Sequence, residues 1–409
     1  MSIRVLYISY DGMTDPLGQS QVIPYLSGLS KLGYSFSLIS CEKKENYAAN
    51  KDKIAQLLKA NNIDWHPLQY TKKPPVFSTL YDVYKIKKLA IRLHQKQPFS
   101  IVHCRSYIAA LVGLQLQKKY AIKFIFDMRG FWANERIDGN IWKLEHPIYK
   151  TIFNYFKKKE IQFLEHADYT ISLTHNAKQE IHSWNTIQNN PVKIQVIPCC
   201  VDLNLFNKKN IDIHRLQQLQ LSLSISETDY ILLYLGSIGT WYMLDEMMEF
   251  FNMIKKQKPN AKFLFVTKEE HERIYTTAEK YGVKEAIIIR PGNREEIPYL
   301  ISLSQASLFF ILPSYSKKAS SPTKQGEIMA MGIPIFCNTN VGDTDKVVSD
   351  YKSGILIHEF NKESYTAAIK KLNSTTFDEH AIVQGAADYF SLENGVKKYA
   401  EVYRAVLFS

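Results

Sequence analysis

Short runs of β-branched and aromatic residues alternate along the chain with stretches in which apolar positions recur every three or four residues. In the first half the strand-like runs are residues 4–9, 34–40, 63–68, 100–104, 123–127, 169–173 and 192–197. The alternation then restarts, with runs at 230–235, 262–266, 286–290, 308–312 and 333–337. Strands separated by helices predict parallel sheets covered on both faces. Residues 202–228, polar and of poor periodicity, read as the connection between the two series. The pattern therefore predicts an α/β protein of two Rossmann-like, doubly wound parallel-sheet domains facing across a cleft, at residues 1–200 and 201–385. Residues 386–409 close the chain, and Val396, Tyr399, Val402, Tyr403 and Val406 predict an amphipathic helix there, expected to pack back toward the N-terminal domain.

Composition narrows this. With 45% hydrophobic and 22% charged residues over 409 positions, the chain is globular and long enough for two cores. No apolar run approaches the 18 residues of a membrane span, and the first ten residues lack the features of an export signal. Five scattered cysteines suggest neither a disulfide framework nor a zinc site, so a reducing cytoplasm is the expected setting. Residues 1–200 carry 27 Lys and Arg against 15 Asp and Glu, whereas the remainder carries 24 against 25. The basic excess lies wholly in the first half, at Lys72 and Lys73, at Lys85 to Lys96, at Lys118 to Lys123 and at Lys157 to Lys159. It is either a solvated face or an attractor of anionic surfaces. With no nucleic-acid-binding motif in the chain, an anionic membrane leaflet is the better fit, and no nucleic-acid partner is expected.

The segment from Ser320 to Pro334 carries the most chemistry. It lies between two strand-like runs, so it predicts a loop leading into a short helix, with Ser321 as N-cap and Pro322 as first helical residue. Backbone N–H groups and the positive dipole end at that start, with the hydroxyls of Ser320, Ser321 and Thr323 and the cation of Lys324, suit a diphosphate. Glu327 shares a face with Thr323 and Lys324 and suits a ribose. The plainer account is an ordinary capped helix with Lys324 and Glu327 as a solvated pair.

The run from Glu327 to Pro334 resembles the Glu-Ala-Met-Ala-x-Gly-x-Pro signature of retaining glycosyltransferases of family four, which have the two-domain GT-B fold. The resemblance extends over nearly the whole chain: Val196 to Asp202 is similar to the family's interdomain segment, Ala167 to Thr174 to one of its strands, and Phe126 to Trp132 to a segment of its polysaccharide-assembly members. It implies a donor site in which Glu327 holds a ribose and the helix start at Ser320, Ser321, Thr323 and Lys324 holds the diphosphate. Gly18 and Gln19, in the loop after the first strand, and Gly236, Ser237 and Gly239, after the first strand of the second series, are expected close by.

Departures from the family pattern change the expectation. The acidic position eight residues before Glu327 is Ala319, and the basic pair expected after residue 235 falls near Ser237 and Tyr242. One close cation contributes on the order of 4 kcal/mol to a diphosphate at an effective dielectric near 20, so substitutes are expected, with Lys324 first and Arg290 and Lys268 behind. Such a site stabilises the departing nucleotide electrostatically and needs neither metal nor cofactor. Asp127, at the end of a strand, is the first candidate for positioning an acceptor or stabilising charge, with Arg129 beside it; a purely structural Asp127–Arg129 pair is the alternative. His103, Arg105 and Trp132 complete the expected acceptor side, although a core histidine is the commoner fate. Trp132, Trp142, Tyr149, Phe153, Tyr155 and Phe156 lie near Lys143, Lys150 and Lys157 to Lys159. They read either as core packing or as a membrane-dipping helix.

The expected activity is transfer of a sugar from a nucleotide diphosphate donor to a saccharide or lipid-linked acceptor in cell-surface polysaccharide assembly, at the inner face of the plasma membrane. A nucleotide-sugar 2-epimerase of the same fold and a non-catalytic nucleotide-binding subunit are the alternatives.

Overall fold

The computed structural model describes residues 3–408. The chain forms two compact units: residues up to Pro198 with those from Leu392 onward, and Cys199–Ser391. The helix at Glu379–Phe390 belongs to the second unit, so the first unit's closing helix, Leu392–Leu407, begins later than residue 386.

The first unit is built on seven parallel strands: β1 (Ile3–Ser9), β2 (Tyr34–Glu42), β3 (Ile63–Gln69), β4 (Ile101–Arg105), β5 (Lys123–Asp127), β6 (Tyr169–Ser172) and β7 (Ile194–Val196). Their spatial order is β3-β2-β1-β4-β5-β6-β7. The second unit has six, β8 (Tyr230–Leu235), β9 (Ala261–Val266), β10 (Ile287–Arg290), β11 (Ala306–Phe309), β12 (Ile335–Asn338) and β13 (Gly354–Ile357), in the order β10-β9-β8-β11-β12-β13. Each order reverses once, between β1 and β4 and between β8 and β11. Loops leaving the carboxyl ends of strands diverge there, which is where open α/β sheets bind ligands.

The periodicity locates twelve of these strands and misses β13, whose four residues begin with glycine. Gly354 is required there, because a Cβ would lie 1.9 Å from the Ile335 carbonyl oxygen on β12. β11 starts two residues before the run at 308–312 and ends at Phe309; beyond it Ile311 forms an isolated antiparallel bridge with Tyr242. The polar connection contains a helix, Ile213–Ser222. In the first unit, Gly113 lets the helix Ser106–Tyr120 lie on β4 and β5: a Cβ there would meet Cys104 Sγ at 2.5 Å and Phe124 at 2.7 Å. Parallel register sets Ser9 beside Arg105 and Arg105 beside Asp127, so three polar residues end their strands in one row. Among the described residues no helix is long and apolar enough to cross a membrane.

Candidate donor site and a buried polar cluster

In the second unit, the chain leaving β11 makes a short 3-10 turn at Tyr315–Ala319 and then enters the helix Thr323–Ala330. That helix starts one residue later than the sequence suggests. Pro322 occupies the N-cap position, and no side chain caps the helix. Ser321 has another role: its Oγ accepts a hydrogen bond from the Cys199 backbone N–H at 3.1 Å. With proline at the cap, the first N–H groups and the positive dipole end are available to an anion. Gly326 brings the helix against Phe390, whose side chain would lie 3.0 Å from a Cβ. Gly332, with φ of 74°, ends the helix in the left-handed conformation glycine adopts without strain.

Glu327 is 2% exposed, and its Oε2 accepts from Lys324 Nζ at 2.7 Å. Its Oε1 lies 3.6 Å from an Arg294 guanidinium nitrogen. Lys324 and Glu327 are thus brought together, with a cation the sequence reading missed. Arg294 belongs to the loop after β10, and the only signal in the sequence is a cation following a Pro-Gly pair at a strand end. Lys317 was missed as well: it is buried, with its ammonium 3.7 Å from the Trp241 ring centroid. A cation from the loop after β11 therefore sits on the loop after β8, the region where the basic pair is absent from the sequence.

The remaining donor-side residues lie at different distances from this cluster along the fold. Gly236 (φ 148°), Ser237 and Gly239 follow β8. The Gly236 N–H bonds the Val266 carbonyl, and the Ser237 carbonyl accepts the Tyr234 hydroxyl. Ser320 closes the 3-10 turn through a 3.1 Å bond from its N–H to the Lys317 carbonyl. Arg290 is not delivered to Glu327. It ends the edge strand β10 and pairs with Glu296 at 2.8 Å, beside Arg215 and Tyr299. Lys268 is exposed after β9.

In the first unit the loop after β1 is fastened by Glu42, a buried residue at the end of β2 that the sequence reading passed over. One carboxylate oxygen accepts the Met13 N–H at 2.7 Å, and the other accepts the Thr14 N–H at 3.0 Å and the Thr14 hydroxyl at 2.5 Å. Gly18 is buried in the helix Pro16–Gln21, where a Cβ would stand 2.2 Å from the Gly12 carbonyl oxygen. Its missing side chain lets the helix pack closely on its own loop. Gln19 donates from Nε2 to the Thr14 carbonyl at 3.1 Å.

Asp127 and His103 do not take the accessible acceptor-facing positions expected of them. They are 0% and 1% exposed. The closing helix covers them: Tyr399 donates its hydroxyl hydrogen to Asp127 Oδ2 at 3.0 Å, and the Tyr403 hydroxyl lies 2.7 Å from His103 Nδ1. His103 Nε2 is 3.5 Å from Asp127 Oδ2, and an Arg129 guanidinium nitrogen is 3.8 Å from Oδ1. Burial by itself raises the Asp127 carboxyl, but Arg129, His103 and Arg105 overcome that and hold it down at about 2. Burial lowers His103. Arg105 is also enclosed, with Nε 3.5 Å from an Asp11 oxygen. Arg129, with φ of 60°, adopts the left-handed conformation just beyond β5.

Trp132 is half-buried, stacked on Tyr107 at 5.9 Å and edge-on to Trp142 and Phe156. The helix Pro147–His166 turns Lys157 inward to Glu160 and Asn134, so Lys157 does not belong to an exposed cationic side. The aromatic residues of this region pack mainly on one another, which favours the core account of the segment. Among the described residues no three His, Cys, Asp or Glu gather in metal-holding geometry.

Two doubly wound parallel-sheet domains of this topology make the chain a GT-B protein. Residues 21–205 match the family described as Glycosyltransferase Family 4, and residues 218–387 match Glycosyl transferases group 1. The chain is a glycosyltransferase of the family-four type. No curated protein sequence matches it. Among solved structures it is similar to a sucrose-phosphate synthase from Thermosynechococcus elongatus, at 15% identity and a TM-score of 0.75 over 98% of each chain. It is also similar to HepE from Anabaena in complex with UDP-glucose, at 12% identity and a TM-score of 0.71 over 98% of this chain and 99% of that one. WaaG, a glycosyltransferase involved in lipopolysaccharide biosynthesis, aligns at 14% identity and a TM-score of 0.68, over 97% of this chain and 99% of that one. At these identities the likeness speaks for the fold.

Proposed function

We propose that the protein is a retaining, metal-independent hexosyltransferase. It takes a nucleoside diphosphate sugar and passes the sugar to a saccharide or lipid-linked acceptor in cell-surface polysaccharide assembly, at the cytoplasmic side of a membrane. The observation that carries this reading is the Lys324–Glu327–Arg294 cluster at the uncapped start of the helix Thr323–Ala330. A nearly buried carboxylate held by two cations is fixed in orientation and suits the two hydroxyls of a ribose. The adjoining N–H groups and Lys324 offer charge to the diphosphate as it departs, where electrostatic stabilisation is worth most. Lys317 supplies a second positive charge on the same side of the sheet. The departing phosphate oxygen accepts the acceptor's proton on the face it leaves, which retains configuration and dispenses with a separate base. Likeness to a UDP-glucose complex and to a lipopolysaccharide enzyme supports the donor class and the pathway.

Thermal stabilisation by a panel of nucleotide sugars, with and without chelator, tests the donor and the metal independence, since a ligand that binds only the folded state raises its melting temperature. Lys324→Ala and Glu327→Ala are expected each to weaken the selected donor at least tenfold. Wild-type affinity in both variants would remove the proposed site. The anomeric configuration of the product, read by proton NMR coupling, tests retention.

A further inference from the structure

The helix Phe77–Lys96 in the first unit has an outward face of unusual composition. Its packing side is Ser78, Asp82, Ile86 and Ala90, one residue per turn. On the opposite side, Phe77 is 71% exposed, Leu80 59%, Tyr81 54% and Tyr84 57%. These four follow the helical repeat and form a continuous stripe over two turns, where a soluble helix carries charge. Exposed lysines stand at both ends, Lys72 and Lys73 before the helix and Lys87 and Lys88 after the stripe, with Arg92 and Lys96 beyond. Asp82 is the sole acid between residues 65 and 100. It is fully buried and engaged by Lys85 at 2.8 Å, by the Thr71 hydroxyl and by the Tyr10 hydroxyl. No other acid in this stretch offsets the basic rim.

We propose that this face docks on a bilayer surface rich in anionic phospholipid, with Phe77, Leu80 and Tyr84 entering the boundary between headgroups and acyl chains. Lys72, Lys73, Lys87 and Lys88 meet lipid phosphates around them. A bilayer supplies an apolar phase and a layer of negative charge at one interface, and this face presents the matching pair. A nucleic acid would neutralise the lysines and leave the apolar stripe in water. The surface differs from the Pro147–His166 region, where Lys157 is paired inward and the aromatic rings pack together. The inference rests on the proposed lipid-linked acceptor only for its purpose, which is to hold the enzyme where such an acceptor resides.

Vesicle co-sedimentation, run without donor or acceptor, tests docking independently of transfer. Wild-type protein is expected to pellet with vesicles containing 30 mol% phosphatidylglycerol, to do so less in 0.5 M NaCl, and to stay in solution with phosphatidylcholine alone. The variant carrying Phe77→Ser, Leu80→Ser and Tyr84→Ser is expected to bind at least tenfold less. Neutralising Lys72, Lys73, Lys87 and Lys88 to Gln should abolish the preference for anionic lipid. A nitrobenzoxadiazole label on Phe77→Cys, specific because the five native cysteines are buried, should shift to the blue on binding. This reading does not require the triple variant to fold. Failure of wild-type protein to pellet with anionic vesicles, undiminished binding of a folded triple variant, or a label that stays in water would each overturn the proposal. So would vesicle binding lost on changing Ile148 and Tyr155 instead.

Discussion

Tyr399, on the helix that closes the chain, donates a 3.0 Å hydrogen bond to the carboxylate of Asp127 at the end of β5. The two residues are 272 positions apart, and the bond lies inside a fully buried cluster that also holds His103 and Tyr403. A strand-end acid expected to face an acceptor is instead part of what fastens the closing helix to the sheet, with Arg129 as its outward neighbour.

Removing that hydroxyl leaves a buried charge with one donor fewer. A hydrogen bond to a charged group contributes about 1.5–3 kcal/mol, so Tyr399→Phe should lower unfolding free energy by that order in denaturant titration. A variant as stable as wild type would show that Arg129 and His103 satisfy Asp127 alone.

The same cluster predicts acid lability in two stages. Asp127 ionises at about 2 when folded against an ordinary 3.8, so its stabilisation is complete above the ordinary value and is lost as pH falls from about 4 toward 2. The depression corresponds to roughly 2 kcal/mol. His103 is lowered by burial, so the unfolded chain takes up its proton first and stability already declines as pH drops below the ordinary 6.5. Melting temperatures of His103→Gln and Asp127→Asn against pH should lose the earlier and the later decline, respectively. Profiles parallel to wild type would contradict both assignments.

The loop after β1 should tolerate little. Gly18→Ala drives a methyl group into the Gly12 carbonyl, and Glu42→Gln turns an amide toward N–H donors that need an acceptor. Overpacking and unsatisfied buried donors each cost about 1–3 kcal/mol. Both variants should therefore melt several degrees lower in calorimetry, and a neutral result at Gly18 would mean the loop rearranges freely.

Two arginines near the end of β10 should behave differently. Arg294 faces Glu327, whereas Arg290 is occupied by Glu296. Arg294→Ala is expected to weaken nucleotide-sugar binding severalfold in calorimetric titration, and Arg290→Ala to leave it within twofold. The reverse order would move the site toward the sheet edge.

Lys324 and Glu327 were legible in the sequence because a helix places residues three apart on one face whatever surrounds it. Twelve strands were legible for a similar reason: fully buried parallel strands read as apolar runs between turn residues. β13 was not, since four residues starting with glycine carry too little pattern. Arg294, Lys317 and Glu42 were also out of reach, because each gains its partner through the order of strands in a sheet, which no local spacing records. The sequence by itself determined two doubly wound sheets and the helix bearing the Lys324–Glu327 pair, through periodicity and propensity. Tertiary structure alone decided that Ser321 serves Cys199 rather than the helix, that Asp127 is sealed by Tyr399, and that Phe77 and Leu80 remain outside. Burial and hydrogen-bond satisfaction depend on what the folded chain brings across from far away.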